Sequence, residues 1–499
     1  MEKKLKELKE LLGEVMDING AVAVLSWDQQ TFMPSGGAET RSEQLGTLAR
    51  IGHDKATSPR IGELLEKLTA VGYTDPDSDD ARLVRNGLKD FTKASKVPSS
   101  WVAEFAQVTA VGQEAWEKAR EGSDFSKFQP HLEKIVRLRQ QYAEYFKPYD
   151  HVYDPLLDDF EPGLKTREVQ AIFTGLRDEQ VNLIKAISSR PQVDDAFLKR
   201  QYKEGKQKAF GEDVITRFGY DWNCGRQDKA AHPFTTSFGL GDVRITTRYL
   251  EDDGASGLFS SMHEAGHAMY EQGISPTIKR TPMFTGASSA IHESQSRMWE
   301  NLVGRSHEFW TFYYPKFQAA FPENLANVSL DTFYKGINKV QPSFIRVEAD
   351  EATYNLHVML RLEIEIALLE GSILVKDLPA FWNSKMHEYL GVTPPNDSKG
   401  VLQDIHWSSG YLGYFPTYAL GNLISLQLWE KINQDIPSLA DQIRSGNFTE
   451  LLDWLRKKVH THGAKFEPQD LVQRVTGSKI TPEPYIRYLK KKYSEIYGF

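Results

Sequence analysis

The sequence predicts a large, mainly α-helical protein with one short β-hairpin, and three observations carry that prediction. Charged and apolar residues alternate with a helical period over 2–16, 36–69, 80–95, 99–120, 126–146, 165–189 and 194–218. Only Thr235 to Tyr249 breaks this rhythm, with Thr, Phe, Val, Ile and Tyr placed around Gly239-Leu240-Gly241 in the manner of a hairpin. Hydrophobic residues make up 40% and aromatics 11% of 499 residues, ample for a substantial core, and no Pro/Gly/Ser-rich or single-charge run marks a linker. A single domain over residues 1–499 is therefore expected.

Charge and cysteine usage exclude several classes. A net charge of −8, from 60 basic and 68 acidic side chains, gives no general attraction to phosphate backbones or anionic membranes, so neither nucleic acid nor membrane is an expected partner. The single cysteine, Cys224, excludes an intrachain disulfide and a cysteine-rich zinc ribbon. The first element, Met1 to Asp17, is a charged amphipathic helix with Leu5, Leu8, Leu11, Leu12, Val15 and Met16 on one side, unlike a secretory signal. No stretch approaches the roughly 20 apolar residues that span a bilayer, and a cytoplasmic protein is expected. Internal repeats, Walker loops, dinucleotide fingerprints and GxSxG elbows are all missing from the sequence.

After the hairpin comes His263-Glu264-Ala265-Gly266-His267, an HExxH run. On a helix the two histidines lie one turn apart on one face and can share a metal ion, while Glu264 points about 100° to the side, beside the water such an ion activates. Asp253 or Ser256 can cap this helix, Gly273 can end it, and Leu258, Met262, Ala265 and Met269 form an apolar stripe opposite the histidines. The hairpin just before it can offer an edge strand to an extended peptide, or be purely structural.

A catalytic zinc site needs a third protein ligand. Glu293 is the first choice, on a second helix traced by Ile291, Met298 and Leu302 that packs antiparallel to the first. Glu271 lies a full turn past His267, an awkward reach, and His292 stands beside the chosen residue as an alternative. Glu293 also has a structural reading, as an ion pair with Arg297 four residues on. Glu300 is the guess for a carboxylate that orients a ligating imidazole.

These residues belong to a distributed pattern that resembles the carboxypeptidase Taq family of metallocarboxypeptidases. His232-Pro233-Phe234 is similar to the family's HPF, Asp242 to Thr246 to its DxRxT, and His292 to Gln295 to its HES/GQ. Ile345 to Asp350 resembles I/VRxxAD and Gly400 to Trp407 resembles GxxQDxHW, with HExxH in the expected order between them. The segment Ser26 to Pro34 also resembles a family segment. The resemblance implies a large all-helical zincin-like fold of the neurolysin and angiotensin-converting-enzyme type. It further implies a deep substrate groove flanked by two helical halves, a homodimer, Glu293 as third ligand, and removal of single residues from peptide C-termini with broad tolerance.

In the expected chemistry one Zn²⁺ per subunit, with Co²⁺ or another divalent ion as substitute, activates water and polarises the scissile carbonyl. Glu264 takes the water's proton and delivers it to the leaving amine. Tyr418 is the first candidate to stabilise the oxyanion, with Tyr414 and His406 as substitutes. Arg346 is expected to capture the substrate's free carboxylate, on a helix where Arg346, Asp350, Tyr354, His357 and Arg361 form a polar stripe, with pairing to Asp350 as its structural alternative. His232, Tyr414 and His406 are further substrate contacts, and Asp242 and Arg244 shape the groove or brace a ligand. An oligopeptidase and a non-enzymatic peptide-binding protein are the competing readings.

Overall fold

The computed structural model describes residues 1–499 and is helical almost throughout, with one three-stranded sheet. The sheet has the order β1-β3-β2: β1 (Gln227–Lys229) pairs parallel with β3 (Asp242–Thr247), and β2 (Thr235–Gly239) pairs antiparallel with β3. The hairpin turn at 239–241 uses Gly239 at φ 132° and Gly241 at φ 89°, conformations open to glycine and strained for other residues. The third strand, β1, was not foreseen. Three residues with no apolar alternation carry no strand signal of their own.

Packing divides the chain into two compact units, each assembled from three stretches. The first holds Met1–Ser95, Asp194–Ile337 and Leu428–Gly477, and the second holds Lys96–Val193, Asn338–Gln427 and Ser478–Phe499. No linker signature marks these divisions because two of them fall inside helices. Ser95 and Lys96 lie together in Asp79–Lys96, and Gln427 and Leu428 in Pro416–Asp435. The first unit contains the sheet, the HExxH helix Ser256–Gln272, and an aromatic core of Phe218, Trp299, Phe309, Trp310, Tyr313 and Phe448. The second is built on the almost completely buried helix Tyr354–Glu370, with Thr166–Ser188 and Leu378–Leu390 against it.

Several predicted helices need adjusted limits. The span 36–69 is two helices, Ala38–Ala56 and Pro59–Thr69, because Pro59 forces Ser58 into an extended conformation, ψ 140°, and then starts the next helix. The N-terminal helix runs on to Thr31, well past Asp17. Within 194–218 only Glu204–Phe218 is α-helical, preceded by the short 3₁₀ turn Ala196–Lys199. A larger correction concerns Arg346. It lies in the 3₁₀ turn Arg346–Glu348, before the helix that begins at Tyr354, so the stripe on that helix is only Tyr354, His357 and Arg361. The break comes from Asp350. Its carboxylate accepts the N–H groups of Gln341, Ala352 and Thr353 at 2.9–3.0 Å, an arrangement that starts a helix and does not continue one.

Candidate metal centre

The HExxH helix begins where Asp253 Oδ1 accepts the N–H groups of Ala255 and Ser256, 3.0 and 3.1 Å away, while Ser256 is its first residue and makes no cap. Gly273 ends it with ordinary right-handed geometry, φ −92°. Leu258, Met262, Ala265 and Met269 are all buried, and this anchors the face opposite His263 and His267. Glycine at 266 decides what packs beside the histidines. A Cβ there would stand 2.7 Å from the Ser296 Cα and 2.8 Å from the Gln295 carbonyl oxygen, so only glycine lets the next helix approach backbone to backbone.

That next helix, Ser289–Arg297, is capped by Ser288 Oγ, which accepts the Ile291 N–H at 3.1 Å. Its contacts with the first helix run in opposite sequence order, His292 beside Glu271 and His267 and, farther along, Glu300 beside His263, so the two helices are antiparallel. Glu293 Oε2 lies 3.4 Å from His267 Nε2 and 3.6 Å from His263 Nε2. Two ligand atoms each about 2.1 Å from a tetrahedral ion are about 3.4 Å apart, so the three donors fit one divalent cation. The set His263, His267 and Glu293 lies within 4.8 Å overall.

The same carboxylate also makes the ion pair foreseen as its alternative, since Glu293 Oε1 accepts Arg297 Nε at 2.7 Å. One oxygen is held and the other is turned to the histidines. Burial opposes ionisation of Glu293, yet Arg297 and His263 hold it well below the ordinary range, so it is an anion. Burial pushes His267 down to about 3, which leaves a neutral imidazole with a lone pair to offer. For His263 burial acts the same way, but the carboxylates of Glu293 and Glu300 outweigh it and raise its pKa.

Past Arg297 the helix widens into a π-helical turn, Met298–Val303, and this carries Glu300 back to the site. Glu300 Oε2 lies 2.9 Å from His263 Nδ1, the bond that holds an imidazole in the tautomer whose Nε2 is free to bind metal. Glu300 also receives Arg297 Nη1 at 3.2 Å and lies 3.5 Å from Arg305 Nη2. Glu271 is directed away from the donor set and toward His292, whose Nε2 is 2.8 Å from its Oε1. Glu264 is buried, and burial raises its pKa above the usual carboxylate value; Thr235 Oγ1, in strand β2, lies 2.6 Å from its Oε2. No sequence signal beyond adjacency to HPF singled out Thr235.

The other foreseen residues fall into two groups. In the first unit His232 is exposed in the loop before β2. Arg244 makes a two-bond pair with Asp242, 2.8 Å each, and lies 4.4 Å from the Trp27 ring centre and 4.8 Å from that of Phe238, so both brace the hairpin against the N-terminal helix. In the second unit Arg346, Asp404 and Arg361 form a buried network. Arg346 Nε and Nη2 reach Asp404 Oδ1 at 3.1 and 2.9 Å, Arg361 Nε reaches its Oδ2 at 2.7 Å, and Arg346 Nη1 donates to Tyr354 Oη at 2.8 Å. The Arg346–Asp350 pair therefore does not form. Asp350 is committed to backbone N–H groups, and these contacts use three of the five N–H groups of Arg346.

Around this network Tyr418 lies with its ring centre 4.8 Å from the Arg346 guanidinium and its hydroxyl 3.2 Å from His406 Nε2. Burial and the neighbouring Arg346 push His406 down to about 3, so it is neutral. Tyr414 stands edge-on to Phe160 and Tyr418, ring centres 5.1 and 5.2 Å away. Sequence reasoning missed Glu365. Fully buried, it accepts Tyr153 Oη, Trp407 Nε1 and the Gly413 N–H at 2.6–2.9 Å, and so ties down the chain between His406 and Tyr414.

Residues 7–493 match the profile of the carboxypeptidase Taq (M32) metallopeptidase family. The chain belongs to that family. It is 42% identical over 487 residues to thermostable carboxypeptidase 1 of Thermus thermophilus, covering 95% of each chain. Against carboxypeptidase 1 of Bacillus subtilis the identity is 39%, with 99% of this chain and 98% of the relative covered. The crystal structure of the M32 carboxypeptidase from Deinococcus radiodurans superposes with a TM-score of 0.97 at 40% identity over the whole of both chains. As an M32 enzyme this chain is a metal-dependent carboxypeptidase, a hydrolase of peptides.

Proposed function

We propose that the protein is a zinc carboxypeptidase that shortens peptides one residue at a time from the free C-terminus, with broad side-chain tolerance. The observation that carries this reading is the convergence of His263 Nε2, His267 Nε2 and Glu293 Oε2 beside a buried Glu264. Two imidazoles and one carboxylate suit Zn²⁺, and Co²⁺ is accepted by the same set. When bound, such an ion supplies Lewis acidity that activates water and polarises the scissile carbonyl.

The remaining roles belong to the chain. Glu264 takes a proton from the attacking water and passes it to the leaving amine, and its burial, which favours the protonated form, suits the second transfer. Tyr418 donates its hydroxyl hydrogen to the oxyanion, supported by His406. Arg346, with two N–H groups beyond those given to Asp404 and Tyr354, receives the terminal carboxylate, while Tyr414 and His232 contact the peptide. In this reading the protein is a cytoplasmic homodimer, and one ion serves each subunit. No helix is long and apolar enough to cross a membrane.

The test follows an unblocked peptide and its C-terminally amidated twin by mass spectrometry, with and without a chelator. Stepwise loss of single residues from the free acid alone, abolished by chelation, is the expected result. Internal cleavage of both peptides would replace the reading with an oligopeptidase, and no cleavage after zinc reconstitution would replace it with a binding protein. Arg346→Lys, which keeps the charge but loses the paired geometry, is expected to raise KM for the free acid roughly 10- to 100-fold.

A further inference from the structure

Both candidate ligand histidines offer Nε2 to Glu293, yet their outer nitrogens are held differently. His263 Nδ1 meets a carboxylate directly, that of Glu300, at 2.9 Å. His267 Nδ1 meets another imidazole, with His292 Nδ1 2.5 Å away, and only behind that ring, 2.8 Å from its Nε2, stands a carboxylate oxygen of Glu271. We propose that His292 is a positioning residue for the metal centre, linking Glu271 to His267 through an imidazole relay that fixes the ring and tautomer of this ligand. The proposal rests on the reading that His263, His267 and Glu293 hold a divalent cation.

The hydrogen count permits one arrangement. A neutral His267 that gives its Nε2 lone pair to a cation carries its hydrogen on Nδ1, and the atom facing that hydrogen is His292 Nδ1. That atom must accept, so His292 carries its own hydrogen on Nε2, and that nitrogen faces Glu271 Oε1, which can only accept. Every nitrogen in the row is then satisfied, and the row runs in one direction from ligand to carboxylate. The reverse tautomer of His267, with its hydrogen on Nε2, would remove the lone pair from the metal side and also set its hydrogen-free Nδ1 against the hydrogen-free Nδ1 of His292.

The relay is also fixed in space. Glu271 lies four residues beyond His267 on the same helix, is buried, and also accepts the Gly286 N–H at 3.3 Å. The His292 ring lies over Tyr270, ring centres 5.2 Å apart. Beside both rings stands Gly286, where a Cβ would come within 2.6 Å of His292 Cδ2 and 3.0 Å of Tyr270 Cε1. Any side chain at 286 would displace the ring. The geometry that carries the relay thus depends on a glycine outside all of the recognised motifs.

Outer partners of ligating histidines typically change metal affinity about 10- to 100-fold when removed. The experiment uses the full-length protein and reads zinc dissociation constants by competition with a chelating dye, together with the visible spectrum of the cobalt form. His292→Leu is expected to weaken zinc binding about 10- to 100-fold and to alter the cobalt bands, because the ring of His267 loses its acceptor. His292→Gln, whose carbonyl can accept from His267 while its amide donates to Glu271, is expected to restore most of the affinity. Glu271→Gln, which removes charge but preserves shape, supplies a second reading should the leucine variant fail to fold, and is expected to fall between the two. Wild-type affinity and spectrum in both His292→Leu and Glu271→Gln would overturn the relay, as would equal losses in the leucine and glutamine variants of His292. Failure of the unaltered protein to bind one ion per chain would instead overturn the metal reading on which the relay rests.

Discussion

At the residue scale the candidate chemistry divides between groups held for reaction and groups held for shape. Glu264 is in the first class: Glu264→Gln keeps the side-chain volume and the contact with Thr235 but cannot take a proton. A fall in kcat of about 10²- to 10⁴-fold is expected, with zinc binding unchanged in a dye competition assay. Asp404 is in the second. Burial alone would raise its pKa, but Arg346 and Arg361 override that and hold it well below the ordinary aspartate value. Because the folded pKa is the lower one, this carboxylate's stabilisation is present above the ordinary value of about 3.9 and is lost as pH falls through and below it. Asp404→Asn leaves two buried guanidinium groups without their anion and is expected to cost about 3–5 kcal/mol in denaturant unfolding at pH 7. The difference from the unaltered protein should narrow below pH 4.

At the element scale the decisive feature is how closely two helices approach. Gly266→Ala would place a methyl group against the Ser296 backbone, and a loss of about 1–3 kcal/mol in chemical unfolding together with weaker zinc retention on dialysis is the expected outcome. Much of this region was legible in advance, for a physical reason. The spacing of His263 and His267, the apolar stripe behind them and the Gly-Leu-Gly turn are local patterns, and local periodicity is what a sequence displays. Glu300 was named as the carboxylate that orients a ligating imidazole, but the widened turn at Met298–Val303 that delivers it leaves no mark on the sequence pattern. Arg346 was misassigned to a helix because its spacing to Tyr354 and Arg361 fits helical period, whereas Asp350 spends its carboxylate on backbone N–H groups and interrupts the run. Glu365 and the pairing of Asp404 with two arginines depend on contacts between residues more than 40 positions apart, which no periodicity encodes.

At the scale of the whole molecule, each unit is completed only by returning chain. The candidate ligands lie in the middle stretch of the first unit, and Gln295, two residues beyond Glu293, is held by His460 Nε2 at 2.9 Å from that unit's last stretch. Metal binding should therefore be felt through the fold as a whole. With free zinc at 100 times its dissociation constant, about 2.7 kcal/mol of stabilisation is expected, visible in calorimetry as a single transition that moves down by a few degrees when a chelator is added. Two separate transitions, only one of them sensitive to the chelator, would show that the units unfold independently. The interleaving also has a consequence for biosynthesis. A ribosome that has already released the two helices bearing the ligands has yet to make Leu428–Gly477, so the nascent chain lacks the last of the three stretches of the unit that contains its metal ligands. A unit assembled in this order cannot close around its ligands until Leu428–Gly477 has left the ribosome, long after His263, His267 and Glu293 have been made.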